Sequence, residues 1–397
     1  MAEETRQNPE TTEVAQPTAA PNTKQAKAPG KSKEAKDRGT KKTDRARSIS
    51  WLWSGGVMLE QHKDPILSQE LTQFINPERQ RVIPELLPWN NIGEISPEDI
   101  IQVARLARIV DERDGYPLFR KLRRCLGRRV TVLVDALDEE PYVSSQLGPM
   151  LHMSEECISG LTLACKSVRA EESAILVYQG ITDLEVKIPR TIGGVPVQRV
   201  WGKYPSELLS AHSLVEGKDG RVTLYVGSCG LIHLHRAVFE ARMQSTSFIT
   251  VAGNCVANPC NMEVSLDTTA TQVLDFCGLE VAPTRVVVGG SVTGESVPDT
   301  DQVPVRATTR AILAFQEDER DKRFQCLGCG RCAEVCPMGL DPRARYKGIG
   351  RSLHDQVARL DYKMCVGCMC CSYVCPAKLD IAGRIAWYRR SRKEART

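Results

Sequence analysis

Nine of the sixteen cysteines crowd between residues 326 and 375. Cys326, Cys329, Cys332 and Cys336, followed by Pro337, form one run, "CLGCGRCAEVCP". Cys365, Cys368, Cys371 and Cys375, followed by Pro376, form another, "CVGCMCCSYVCP". Both read C-x2-C-x2-C-x3-C-P, an internal repeat with a period of 39. Three thiolates of such a loop wrap three irons of a [4Fe–4S] cube, and the fourth comes from the other run. The spacing assigns Cys326, Cys329, Cys332 and Cys375 to a first cluster, and Cys365, Cys368, Cys371 and Cys336 to a second. Cys370 breaks the spacing and is expected to be a packed thiol. Two structural zinc sites would need neither this spacing nor the prolines. Gly328, Gly330 and Gly367 leave room for backbone N–H groups near cluster sulfurs, which tune potential. Two clusters set by one repeat should lie close enough to pass single electrons.

The elements that must hold these loops belong to a chain of 397 residues, long enough for several domains and a sizeable core. No run of eighteen apolar residues suggests a membrane span. The start, "MAEETRQNPE", lacks the apolar segment of a secretory signal. The expectation is a cytoplasmic protein, with peripheral association on the cytoplasmic membrane left open. Dense local cysteine in such a setting points to metal rather than to a disulfide framework.

Residues 1–48 hold eleven Lys/Arg and seven Asp/Glu, which accounts for the net charge of +4. The other 349 residues are neutral, with 42 of each sign, and this argues against a nucleic-acid partner. The first segment, 1–50, is too poor in apolar residues to offset ordering entropy and reads as a disordered basic tail. Residues 51–95 form an N-terminal segment.

From there strands and helices alternate. "SPEDIIQVARLARIV", 96–110, reads as a helix with Ser96 as N-cap, Pro97 in the first turn and Asp99 completing the cap. A strand follows at 129–137, a helix at 154–170 and a strand at 174–180. This predicts a three-layer α/β domain over 96–217. A compact α+β unit follows over 218–304, built from the strand "RVTLYVG", a helix, a hairpin turning near Asn258-Pro259, a short helix and the strand "TRVVVGG". Residues 305–397 read as a mostly helical domain. Between the cysteine runs, Leu353, Val357, Leu360 and Met364 share one helix face.

The remaining cysteines, 125, 157, 165, 229, 255, 260 and 277, are expected to be packed thiols. Cys255 with Cys260 is the weaker option of a redox pair. His233 and His235, two apart on a helix, face different ways and read as structural. The basic end "RIAWYRRSRKEART", 384–397, is a solvated helix end or a docking arm for an acidic ferredoxin or flavodoxin.

Taken in order, "GGVMLEQHK", "EEPY", "YVGSCGLIHLHRAV", "VAGNCVANPCNMEVSL", "VVVGGSVTG" and the two cysteine runs resemble RnfC, the peripheral iron–sulfur subunit of the Rnf electron-transport complex. The likeness runs from about 54 to 383 and extends to RnfC-like proteins that serve soluble anaerobic reductases. It implies a Rossmann-like domain akin to the flavin-bearing subunit of respiratory complex I, then a β-grasp (SLBB) domain, then a helical two-cluster ferredoxin domain. The segment from 64 to 95 is short for the lipoyl-like barrel that usual RnfC chains carry.

In that family a loop of the form GxGGxGFPTxxKL admits FMN and NADH to the backbone. Here the matching stretch is "IVDERDGYPLFRKL", 109–122. Gly115, Pro117, Lys121 and Leu122 match it, and Asp111, Glu112, Arg113 and Asp114 replace the other glycines. In "DALDEEPY", 135–142, Asp138, Glu140, Pro141 and Tyr142 match the family's acidic stretch. Gly115, Lys121 and Glu140 thus mark a degraded FMN/NADH site, with three carboxylates where phosphate would lie.

The first expectation is an electron-transfer subunit relaying single electrons through two [4Fe–4S] clusters between redox proteins. Those partners would be ferredoxin- or flavodoxin-like, a reductase, or other Rnf-type subunits. The alternative is an NADH dehydrogenase-type reductase, in which FMN splits the hydride's electron pair. A third reading is a scaffold that senses redox state. Flavin content separates the first two.

Overall fold

The structure, a computed structural model, describes residues 55–59, 64–67, 69–84, 86–178, 187–200, 203–209, 214–217, 220–316, 323–352 and 364–394. The basic tail and most of the helix face expected at 353–364 lie outside the described residues. Twelve strands are defined among the described residues: β1 (Thr72–Phe74), β2 (Val130–Ala136), β3 (Glu172–Tyr178), β4 (Thr191–Ile192), β5 (Val195–Val200), β6 (Leu214–Glu216), β7 (Val222–Gly227), β8 (Thr246–Ala252), β9 (Cys260–Ser265), β10 (Arg285–Val288), β11 (Glu295–Val297) and β12 (Ala311–Phe315). The first eight helices are α1 (Asp64–Leu67), α2 (Pro97–Leu106), α3 (Leu118–Cys125), α4 (Leu147–His152), α5 (Ser154–Val168), α6 (Ser206–Leu209), α7 (Ser228–Phe239) and α8 (Ala270–Cys277). The cysteine region adds α9 (Arg331–Glu334), α10 (Pro342–Gly350), α11 (Cys370–Tyr373) and α12 (Ile381–Glu394).

Two six-stranded sheets carry a mixed α/β fold. The first runs β4-β5-β3-β2-β7-β6, with four parallel central strands and an antiparallel strand at each edge. The sequence of β2, VTVLVDA, is apolar almost throughout and is buried nearly end to end, as a central parallel strand must be. Helices α2, α5 and α7 pack on one another, and α5 and α7 also contact the sheet. Gly160 sets the spacing of α5 and α7, since a Cβ there would lie 2.0 Å from the carbonyl oxygen of Leu231. Helix α2 starts as expected, with the Asp99 amide donating to Ser96 Oγ at 3.1 Å. It stops at Leu106, and the backbone turns at Arg108 with φ of 55°.

The second sheet runs β1-β9-β8-β12-β10-β11. Helix α8 caps it, opened by a capping box between Thr269 and Gln272. The boundaries read from the sequence move in three places. Strand β7 and helix α7 were expected in the α+β unit, but β7 pairs in parallel with β2 over six residues and so completes the first sheet. Strand β12, expected within the helical domain, pairs with β8 and β10. Strand β1, from the N-terminal segment, pairs with β9. A buried apolar run looks the same whichever sheet it joins, and only long-range register decides. The described residues between 64 and 95 otherwise hold one helical turn and one 3-10 turn.

The seam between the sheets is polar and closed. Arg310, just before β12, reaches Asp138 at 2.8 Å and Glu207 at 2.7 Å. Asn261 of β9 accepts from Ser144 and Thr250 hydroxyls. His233 is buried against Phe248 with its pKa pushed down to about 4 by burial, and His235 bonds Ser159. Both are structural in this setting. Cys260 lies beside Cys277, Sγ to Sγ 3.9 Å, a neighbour that the sequence did not single out when it offered Cys255.

Candidate functional site

The repeat of the sequence is also a repeat of backbone conformation. Gly328 and its counterpart Gly367 both have φ of 75°. Gly330 (82°) corresponds to Met369 (62°), and each sits at the N-cap of a single-turn helix, α9 or α11. Gly339 (61°) corresponds to Lys378 (52°), just past the last cysteine of each run. Left-handed residues turn the chain sharply enough for three thiols of each loop to point inward. At Met369 a side chain bears that conformation where the first run uses glycine.

Each turn system borders a cavity. One is lined by Cys326, Cys329, Cys332 and Cys375, with Arg343 and Tyr346 among its walls. The other is lined by Cys336, Cys365, Cys368 and Cys371, with Cys370 and Arg345. Each cavity thus joins thiols of one run to a single thiol of the other, and Cys370 adds a fifth thiol to the second. Thiols of both runs around each cavity suit the crossed ligand sets of two [4Fe–4S] clusters, whereas a single zinc ion draws four sulfurs to within about 2.3 Å of one point. Among the described residues no such tight group occurs.

The surroundings fit an anionic group. Apart from thiols, the walls are mostly apolar, and the Leu340 amide donates toward Cys336 Sγ at 3.4 Å. Arg345 is 1% exposed yet lines the second cavity. Nothing in "DPRARYKGIG" marks Arg345 apart from Arg343, so the sequence did not reveal it. Cys370 is fully buried among Val57, Leu59 and Tyr204. The N-terminal segment packs beside this second cavity: the Gly56 amide donates to Val335 O at 2.8 Å, and a Cβ on Gly55 would lie 2.7 Å from the Cys336 backbone. Of the thiols around the first cavity, Cys329 is exposed.

The degraded nucleotide loop lies elsewhere, at the carboxyl ends of β2 and β7. Strand order reverses there, and open α/β sheets bind ligands at such a crevice. In this chain the crevice is filled from within. Glu112 accepts from the Cys229 and Gly230 amides at 2.9 Å each, at the start of α7, where a phosphate would otherwise find donors. A Cβ on Gly227 would fall 2.0 Å from Glu112 Oε1. Burial, then the neighbouring Asp111, push the Glu112 carboxyl up to about 8. Lys121 is wholly buried and pairs with Asp111 and Asp114 at 2.6 Å each. Arg113 pairs with Asp135 and lies over the Tyr225 ring.

The acidic stretch behaves in the same way. Asp138 accepts from the Gln146 and Leu147 amides, Glu139 from Ser206 and Glu207, and Glu140 from Val292 and Thr293. Each buried carboxylate thus takes a pair of successive amides and pins a separate segment. Of the three residues expected at a nucleotide site, Gly115 is exposed, Lys121 is locked in ion pairs and Glu140 is bound to the 290–294 loop. These residues do not fit FMN or NADH.

Comparison with known proteins agrees with the cysteine geometry. Residues 317–379 match the family described as a 4Fe-4S dicluster domain. The C subunit of the ion-translocating oxidoreductase complex of Vibrio cholerae is 26% identical over 311 residues, 74% of this chain and 40% of that protein. The C subunit of the proton-translocating ferredoxin:NAD(+) oxidoreductase complex of Clostridium ljungdahlii is 27% identical over 296 residues, 69% of this chain and 63% of that protein. The chain therefore spans less than two thirds of the length of either relative. Among solved structures, an NAD+-reducing [NiFe]-hydrogenase superposes with a TM-score of 0.53 at 15% identity, covering 76% of this chain and 62% of that one, which is a likeness of fold. The likeness to RnfC-type proteins expected from the sequence is borne out. No described helix is long and apolar enough to cross a membrane.

Proposed function

We propose that this relative of the RnfC-type proteins is an iron–sulfur relay that passes single electrons between redox proteins. The observation that carries it is the pair of cavities, each walled by thiols drawn from both runs. Cys326, Cys329, Cys332 and Cys375 would hold one [4Fe–4S] cluster, and Cys336, Cys365, Cys368 and Cys371 the other. Each cluster supplies a site that takes up and releases one electron. The chain's own part is to seat the clusters in largely apolar walls, aim an amide at Cys336 Sγ and bury a cation beside the second.

The first sheet and its helices serve in this reading as a Rossmann-like scaffold, and the second as a β-grasp unit of SLBB type. The plugged crevice favours a relay over an NADH dehydrogenase-type reductase. A hydride donor delivers two electrons, a cubane takes one, and Glu112, Lys121 and Arg113 stand in the crevice where the flavin that divides them would lie. Partners would be other Rnf-type subunits or soluble redox proteins, and the former would hold the chain at a membrane surface without a span of its own.

The test is anaerobic reduction of the cluster-loaded protein. Photoreduced deazaflavin, a one-electron donor, is expected to bleach the visible cluster absorbance, and NADH to leave it unchanged. Rapid bleaching by NADH alone would contradict the proposal.

A further inference from the structure

The near neutrality of the chain beyond its tail hides a division. Residues 49–322 carry 27 Lys/Arg against 36 Asp/Glu, and residues 323–397 carry fifteen against six. The cysteine-bearing end is thus strongly basic and the body acidic. Of the described basic side chains near the first cavity, Arg323, Arg331, Lys347 and Arg351 are exposed. Arg343 and Lys347 sit at i and i+4 on α10, and Arg351 follows at its C-cap, so basic side chains extend from the wall of the first cavity to the end of the helix.

Apolar side chains interrupt this surface where the first cluster would be nearest to solvent. Leu327, between two of the thiols, is 70% exposed, Phe324 61% and Trp387 58%. A groove beside them is lined, among the described residues, by Arg323, Tyr346, Arg384, Trp387 and Asp380. Tyr346 walls both this groove and the first cavity, and Arg384 stacks on its ring at 4.0 Å. A molecule seated in the groove is one side chain from the first set of thiols. The second set is shielded on one side by the Gly55–Leu59 segment.

Resting on the relay reading, we infer that this face docks an acidic one-electron carrier protein and that the Cys326/Cys329/Cys332/Cys375 centre is the port through which its electron passes. The step is outer-sphere: the carrier loses one electron, the cluster gains one, and no bond forms or breaks. An anionic lipid surface would also favour basic charge, but it would draw no benefit from an exposed cluster ligand ringed by apolar contacts. Opposite charge raises encounter rates by roughly ten- to a thousandfold, and salt removes the gain.

The experiment uses the full, cluster-loaded chain and a reduced acidic plant-type ferredoxin as probe, mixed in a stopped-flow instrument. Raising salt from about 0.01 M to about 0.15 M shortens the screening length from about 30 Å to about 8 Å. The second-order rate is expected to fall roughly tenfold or more over that range. Combining Arg323→Glu, Lys347→Glu and Arg351→Glu should slow transfer by a similar factor at low salt. Arg124→Glu, a reversal on the body, should not, and all variants should keep their iron and their reduction by deazaflavin. Wild-type transfer by the triple variant would overturn the proposal. So would a triple variant that loses only its binding to phosphatidylserine vesicles, which would make this a membrane face. If deazaflavin fails to reduce even the wild-type clusters, the relay reading itself falls, and this port with it.

Discussion

Replacing Cys375 with serine is expected to empty the centre bounded by Cys326, Cys329 and Cys332, although Cys375 belongs to the other run. Iron should drop from about eight to about four per chain, since each [4Fe–4S] centre holds four. Cys336→Ser should do the reverse and empty the centre of Cys365, Cys368 and Cys371. The crossover has a sharper signature in pairs. Cys375→Ser with Cys329→Ser strikes one centre twice and should lose no more iron than either alone, a strongly non-additive result. Cys375→Ser with Cys368→Ser strikes both centres and should leave almost none. If the first pair lost all its iron, each run would be holding its own cluster, and the cavities would have been misread.

The cysteines were legible because their constraint is local. C-x2-C-x2-C-x3-C-P encodes tight turns, and the left-handed residues at 328, 330, 367 and 369 realise them within each run. Sheet membership was not legible, because β7 and β2 are about ninety residues apart and nothing in "RVTLYVG" names its partner. The nucleotide loop was legible in half. Loss of glycine at 111–114 announced that a ligand had lost its space. That Glu112 itself takes the amides at the head of α7 depends on β7 lying beside β2, which only the fold supplies. The same holds for Asp138, Glu139 and Glu140. Consecutive acids suggest a binding surface, yet each turns to a different pair of amides and serves the structure.

Arg345→Met should injure the second centre selectively. The guanidinium is buried in the wall that carries Cys336, Cys365, Cys368 and Cys371. A four-thiolate cluster is more negative when reduced, so loss of a nearby cation disfavours reduction. Redox titration followed by electron paramagnetic resonance should show one midpoint moved to more negative potential, or one centre lost, while the other stays. Arg345→Lys keeps the charge and should retain the second centre with a smaller shift. Equal loss of both centres in Arg345→Met and Arg345→Lys would mean that the residue acts through shape alone.

The most direct test of a relay without a flavin is cofactor content. The full chain would be purified anaerobically, its iron and sulfide quantified, and flavin released by denaturation and measured by fluorescence. About eight irons and about eight sulfides per chain, four of each per centre, with no flavin, is the expected result. Near-stoichiometric FMN would mean that the crevice at β2 and β7 opens despite Glu112, Lys121 and Arg113, and the chain would then be a hydride-splitting reductase.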